Sequence, residues 1–293
     1  MTTFTVRHET IYTYGSPISS SYGEACLLPR ETDQQVCQSA TVTVDPPPAE
    51  ATEREDHFGN RVVYFTVQDG HTRLTIFAES TLDVIDPMPQ NSGAATMTLA
   101  DVKAGIAAVE GPEGLEGAEF LLDSQRTPQS PRTAEYAAPS FSDERPFLDC
   151  LTDLAHRINT DFAFQPDSTD VNSAIDDLFD EGGGVCQDFA HLMVACLRGQ
   201  GIPARYVSGY LETQPPPGQP KMVGSDVSHA WVSALVPGVG WVDVDPTNDQ
   251  LVDDRYVTVG WGRDYDDVAP LKGVVFSDGG ETTLEVSVDV RRH

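Results

Sequence analysis

Residues 3–14, 38–46, 60–68 and 71–85 alternate polar with apolar side chains, or run rich in Val, Ile, Thr, Phe and Tyr. That is the period-two signature of half-buried strands. PPP at 46–48, HFGN at 57–60 and DG at 69–70 supply turns, and DG between the last two runs predicts a hairpin. The first ninety residues therefore read as an all-β, sandwich-like unit. After a linker, DPMPQNSG (86–93), the stretch 101–145 is broken by Gly, Pro and Ser and shows only short helical patches such as AEFLLDS. Residues 146–160 place Phe147, Leu148, Leu151, Leu154, Ala155 and Ile158 at helical spacing. A second helix runs from Cys186 to about Gly199 on Phe189, Leu192, Met193, Cys196 and Leu197. Strands return in ARYVSGYLE, SHAWVSALVP, GWVDVDP and TTLEVSVDV (282–290), so the second half is α+β. The expected division is 1–90 and 91–293, with the core of the second unit at about 146–250.

Charge narrows the partners. With 46 Asp and Glu against 18 Lys and Arg, the formal charge is −28, a field that repels phosphate backbones and anionic lipid. Neither nucleic acid nor a membrane is an expected partner, and the spread of the acidic residues reads first as solubility. MTTFTVRHETIYTYG has no apolar run of signal-peptide or membrane-span length, which predicts a cytoplasmic protein. Five cysteines without CxxC spacing (Cys26, Cys37, Cys150, Cys186, Cys196) read as free thiols rather than a disulfide framework or a zinc ribbon.

The stretch GGGVCQDFAH (182–191) brings chemistry in. Cys186 opens a helix, whose unpaired N–H groups and positive dipole end stabilise negative charge on sulfur. The three glycines allow a tight turn and the approach of a substrate chain. A thiolate nucleophile needs a proton carrier and a group that orients it. In SHAWVSAL, His229 and Trp231 share a strand face, and in GWVDVDP Trp241, Asp243 and Asp245 do the same. A hairpin through PGVG (237–240) brings Asp245 within cross-strand reach of His229. The residues alone leave alternatives open: a structural cysteine, a packing histidine, Asp243 as the acid, or a metal held by Cys186, His191 and His229.

GGGVCQDFAHLMVACLRGQGIPARYVSGYL followed by SHAWVSALVPGVGWVDVDPTND closely resembles the core of bacterial transglutaminase-like proteins. HETIYTY and DHFGN are similar to the β-rich amino-terminal domain often joined to that core, and GRDYDDVAPLKGV (262–274) to the family's carboxyl-terminal stretch. The resemblance implies an α+β, papain-like transglutaminase core, a cysteine-bearing helix on an antiparallel sheet, behind the sandwich-like domain. It assigns the nucleophile to Cys186, the general base to His229 and the orienting acid to Asp245. The reaction it implies is acyl transfer on protein or peptide carboxamides through a thioester, with peptide or amide hydrolysis, or a catalytically silent scaffold, as alternatives. No cofactor or metal is implied. Animal-type relatives stabilise the oxyanion with a tryptophan upstream of the cysteine, whereas Trp231, Trp241 and Trp261 all follow Cys186. The Cys186 backbone N–H and Gln187, or a group from FAFQPDST (162–169), are the expected donors. Asp188 and His191 are expected to pin the loop, Trp231 to wall the cleft, and 212–227 to border it.

Overall fold

The computed structural model of the chain describes residues 1–87, 93–165, 173–213, 226–277 and 279–293. The expected boundary at 90/91, residues 166–169 and most of the 212–227 loop lie outside these. The first layer is organised by one strand of 24 residues, β1 (Thr2–Ala25). Its first half pairs antiparallel with β5 (His71–Val84) and β14 (Thr282–Arg292), its second with β4 (Arg61–Val67) and β13 (Leu271–Ser277). Outside them lie β2 (Gln35–Asp45), on β5, and β3 (Glu50–Glu55), on β4. The β1–β5 register shifts between Thr13 and Ile18, where β1 changes partners.

The DG hairpin does not form. β4 and β5 each pair with β1 instead of with one another, so DG carries the chain between the two halves of the sheet. Neighbours in sequence pair by default, but a central strand this long offers both of them a complete ladder. TTLEVSVDV behaves similarly. As β14 it returns to β1, and its Val288 and Val290 join Phe4, Val6, Leu82 and Val84 in one apolar cluster.

The stretch 101–145 is more helical than its composition suggests. It contains most of α1 (Leu99–Ala108), α2 (Gly111–Glu119) and α3 (Pro131–Ala137). Thr98 with Asp101, and Ser130 with Thr133, close capping boxes at two of these helices. Then come α4 (Phe147–Asp161), β6 (Ala163–Phe164), α5 (Ile175–Glu181), β7 (Gly183–Gly184) and α6 (Cys186–Gly199). From Gln187 to Arg198 α6 is buried on every side, as a helix at the centre of a core must be. It packs on an antiparallel sheet ordered β11-β10-β9-β8-β12: β8 (Ala204–Leu211), β9 (Ser228–Val236), β10 (Gly240–Asp245), β11 (Gln250–Leu251) and β12 (Tyr256–Gly262). The short α7 (Tyr265–Val268) follows. Ala230, Val232, Ala234, Val242 and Val244 face α4 and α6. By strand alternation, His229, Trp231, Asp243 and Asp245 belong to the other face.

The two layers meet along β12. Gln35 donates to the Thr258 carbonyl at 2.7 Å and accepts its N–H at 2.9 Å; Asn60 does the same to Trp261 at 2.8 and 2.9 Å. Two side-chain amides thus stand in for a missing strand and cover the sheet edge. Asp56 accepts three bonds from Phe58 and Asn60, which fixes Asn60 in place and accounts for the DHFGN turn.

Candidate active site

Two-residue strands set the level at which α6 starts: β6 and β7 pair in parallel, Ala163 opposite Gly183 and Phe164 opposite Gly184. Gly182 ends α5 at φ 72°, in the left-handed region. Gly183 and Gly184 are buried. A Cβ on Gly183 would stand 2.5 Å from Gln165 Nε2, and one on Gly184 2.7 Å from Asp188 Oδ2. These glycines make room for the chain's own side chains, where the sequence had suggested room for a substrate. With that space, Asp188 turns back and accepts the Val185 N–H at 2.8 Å, capping α6 and placing a carboxylate in its first turn.

Cys186 is therefore presented half-buried at the first position of α6. Its side chain hydrogen-bonds His229, which enters from the start of β9. His229 Nε2 also lies 2.7 Å from Asp245 Oδ2 at the end of β10. His229 is 8% exposed and Asp245 not at all. Burial disfavours the imidazolium, but the hydrogen bonds to Asp245 and Cys186 and their negative charge outweigh it, so His229 is pushed up to about 10. Burial likewise opposes charge on Asp245. His229, Asn248 and Tyr256 overcome it and hold the carboxyl below its usual range. Thr247 N and Asn248 N donate to Oδ1 at 2.8 and 3.2 Å; Asn248 Nδ2 and Tyr256 Oη donate to Oδ2 at 2.6 and 2.7 Å. The turn carrying Asn248 is itself held by α4, through Asn159 to the Thr247 carbonyl at 2.8 Å and His156 to Asp249 at 2.7 Å.

Asp243 has different partners. It accepts the Trp231 indole N–H at 3.2 Å and faces the buried Arg205, and burial pushes its carboxyl up. Trp231 is fully buried beneath the site, 6.3 Å from the His229 ring and 5.3 Å from that of Tyr256. His191 accepts the Tyr265 N–H at 3.2 Å and lies tilted by 35° against the Tyr206 ring at 5.0 Å; burial pushes it down to about 3, a neutral ring tying α6 to α7. Gln187 is buried at the second position of α6. Asp226, just before β9, accepts from Thr213 N at 3.2 Å, from the Thr213 hydroxyl and from Val290 N at 2.8 Å, which fastens both ends of the loop preceding His229. Sequence reasoning missed Asn248 and Tyr256. The first stands in the quoted DPTND and was legible there; the second has no local signal. Among the described residues no cluster of three or more His, Cys, Asp or Glu side chains is arranged to hold a metal ion, and no helix is long and apolar enough to cross a membrane.

A helix-borne cysteine meeting a strand-borne histidine and aspartate over an antiparallel sheet defines a papain-like α+β arrangement. Comparison with known proteins supplies the family. Residues 4–83 match the bacterial transglutaminase-like N-terminal region, and residues 135–246 the transglutaminase-like superfamily. An uncharacterised protein of Mycobacterium tuberculosis is 43% identical over 296 residues, covering 98% of this chain and 92% of its own. The chain belongs to the transglutaminase-like superfamily and carries the bacterial N-terminal region of that family. A protein-glutamine gamma-glutamyltransferase of Pseudomonas aeruginosa is 39% identical over 87 residues, 29% of this chain and 13% of that protein. A solved structure from Cytophaga hutchinsonii, described as a candidate cysteine protease, matches at TM-score 0.76 and 23% identity over 99% of this chain and 90% of its own, a likeness of fold.

Proposed function

We propose that this protein is a cysteine-dependent acyltransferase acting on protein or peptide carboxamides, with Cys186 as nucleophile, His229 as proton carrier and Asp245 as orienting acid. One observation carries the reading: the Cys186 side chain, at a helix N-terminus, is hydrogen-bonded to an imidazole whose Nε2 is 2.7 Å from a fully buried carboxylate. The Cys186 thiolate adds to the carboxamide carbon and the carbonyl oxygen takes up the electron pair. The backbone N–H of Cys186, which has no acceptor within its helix, stabilises that oxyanion, with Gln187 or Gln165 as the second donor. Collapse expels ammonia or an amine carrying the proton from His229 and leaves a thioester. An incoming amine then gives its proton to His229, breaks the C–S bond and restores the thiolate. Water in place of the amine makes the same apparatus an amidase or peptidase. The name of the Pseudomonas relative supports the transferase reading over the segment it shares.

The strong acidity supports a substrate that is neither nucleic acid nor lipid surface, and five free thiols support a cytoplasmic site of action. The test is incorporation of a fluorescent primary amine into protein glutamines, run beside peptide cleavage, with wild type and Cys186→Ala. Cys186-dependent incorporation is expected. Cleavage without incorporation would make the protein a hydrolase, and neither, across a broad substrate panel, a binding scaffold.

A further inference from the structure

Beyond Asp245, the hydrogen bonds continue in a line with one direction. Arg255, paired with Asp253, donates from Nη2 to Gln250 Oε1 at 3.0 Å. Gln250 Nε2 then reaches Tyr256 Oη at 2.6 Å, and Tyr256 Oη reaches Asp245 Oδ2 at 2.7 Å. A guanidinium only donates, so the Gln250 oxygen must face Arg255 and its NH2 must face the tyrosine. The hydroxyl, receiving that donor, turns its own proton onto Asp245. Asp245 is thereby an acceptor, and the His229 nitrogen facing it must carry hydrogen. Asn248 Nδ2 is 3.3 Å from the same ring nitrogen, but both are donors there, and its bond goes to Asp245.

We propose that Tyr256 is a positioning residue for the Cys186–His229 pair: its hydroxyl, aimed by Gln250 and Arg255, keeps Asp245 an obligate acceptor and so keeps the His229 proton on Nε2, leaving Nδ1 for the sulfur. The role rests on the acyl-transfer reading only for its effect on rate. Tyr256 is 3% exposed and its ring is 6.1 Å from that of His229, so no solvent molecule is needed to complete the line. The titratable groups facing His229 are Cys186 from α6, Asp245 from β10 and Tyr256 from β12; Asp253 and Arg255 stand behind the tyrosine.

Two variants test it. Tyr256→Phe removes the donor. Gln250→Glu removes no atom from the packing, yet its carboxylate, still paired to Arg255, would accept from the tyrosine and turn the hydroxyl away from Asp245. Each is expected to lower kcat/KM about tenfold, mainly in kcat, because one hydrogen bond to a charged group is lost. Each should also raise the His229 titration midpoint by about one pH unit, because a carboxylate with one donor fewer holds the imidazolium more tightly, read in the resting protein from ring-nitrogen NMR of labelled histidine. Folded variants whose midpoints both match wild type would overturn the proposal, and so would a shift in Tyr256→Phe alone. Both shifts in a wild type without turnover would remove the acyl-transfer reading and keep the positioning role; wild-type turnover with neither shift would do the reverse.

Discussion

His229 and His191 are both buried in the second half of the chain, one bonded to the first residue of α6 and the other carried on α6 itself, and they end in opposite states. The first is pushed up to about 10 and the second down to about 3. Burial acts on both in the same direction, against the charged ring. What separates them is the partner's polarity. His191 Nε2 faces a backbone N–H, which needs a lone pair and so a neutral ring; Asp264 pulls upward but burial, Arg126 and Arg198 prevail. His229 Nε2 faces a carboxylate locked by four other donors, which only accepts. One region uses histidine as a polar strut, the other as a held charge.

The largest effect should come from breaking that acceptor. In Asp245→Asn, an amide nitrogen or oxygen can face the ring, so the Nε2–H tautomer and the charge on His229 both lose support. We expect kcat to fall about 10³-fold or more, with circular dichroism unchanged. Asp243→Asn, two residues away on the same strand, is the matched control. It keeps an acceptor for Trp231 but leaves the Arg205 charge buried with only Glu116, 3.9 Å away, to balance it, so it should cost about 3 kcal/mol of stability in urea unfolding. Activity per folded molecule should stay within about threefold. Equal rate losses in the two variants would dissolve the distinction between the carboxylates.

Much of this was legible in the sequence, and the failures share a cause. Helix periodicity placed α4 and α6 within a residue, and counting out from PGVG put Asp245 beside His229, because both rest on local repeats that burial reinforces. The DG turn misled because β1 carries two partners on each edge at different points along its length, a fact stored in no single segment. Helices α1 to α3 were missed since their apolar stripes are thin; their capping residues, Thr98 and Ser130, were the available signal. The glycines before Cys186 were read outward, towards a substrate, when Gln165 and Asp188 fill the space they leave. Tyr256 was invisible because its importance comes from β12 lying beside β8 while its hydroxyl reaches the end of β10. Sequence carries the reacting groups better than the groups that hold them.

The two histidines also predict opposite pH limbs for stability. A raised histidine stabilises the fold fully below the unfolded value near 6.5, and that contribution is lost as pH rises through about 10. A depressed one contributes fully above about 6.5 and is lost as pH falls through about 3; His8, pushed down to about 4 by burial, acts in the same sense. Stability should therefore fall on the acid side, and His191→Gln should flatten that limb by one proton, about 1.4 kcal/mol per pH unit between pH 6 and 4, in urea midpoints. A slope unchanged by the substitution would mean the buried ring titrates normally.

The smallest effect is the sharpest on the comparison itself. In His191→Gln the side-chain oxygen can take the Tyr265 N–H in place of Nε2, so the strut survives in a group that never titrates. The same substitution at His229 keeps a donor towards Asp245 but removes the proton carrier. At pH 7.5 we expect His191→Gln to retain turnover within about threefold of wild type, while His229→Gln loses it. Selective alkylation of Cys186 by iodoacetamide near pH 6 should persist in the first and vanish in the second. If His191→Gln abolished both signals while remaining folded, the neutral ring would belong to the chemistry, and the division between strut and held charge would fail.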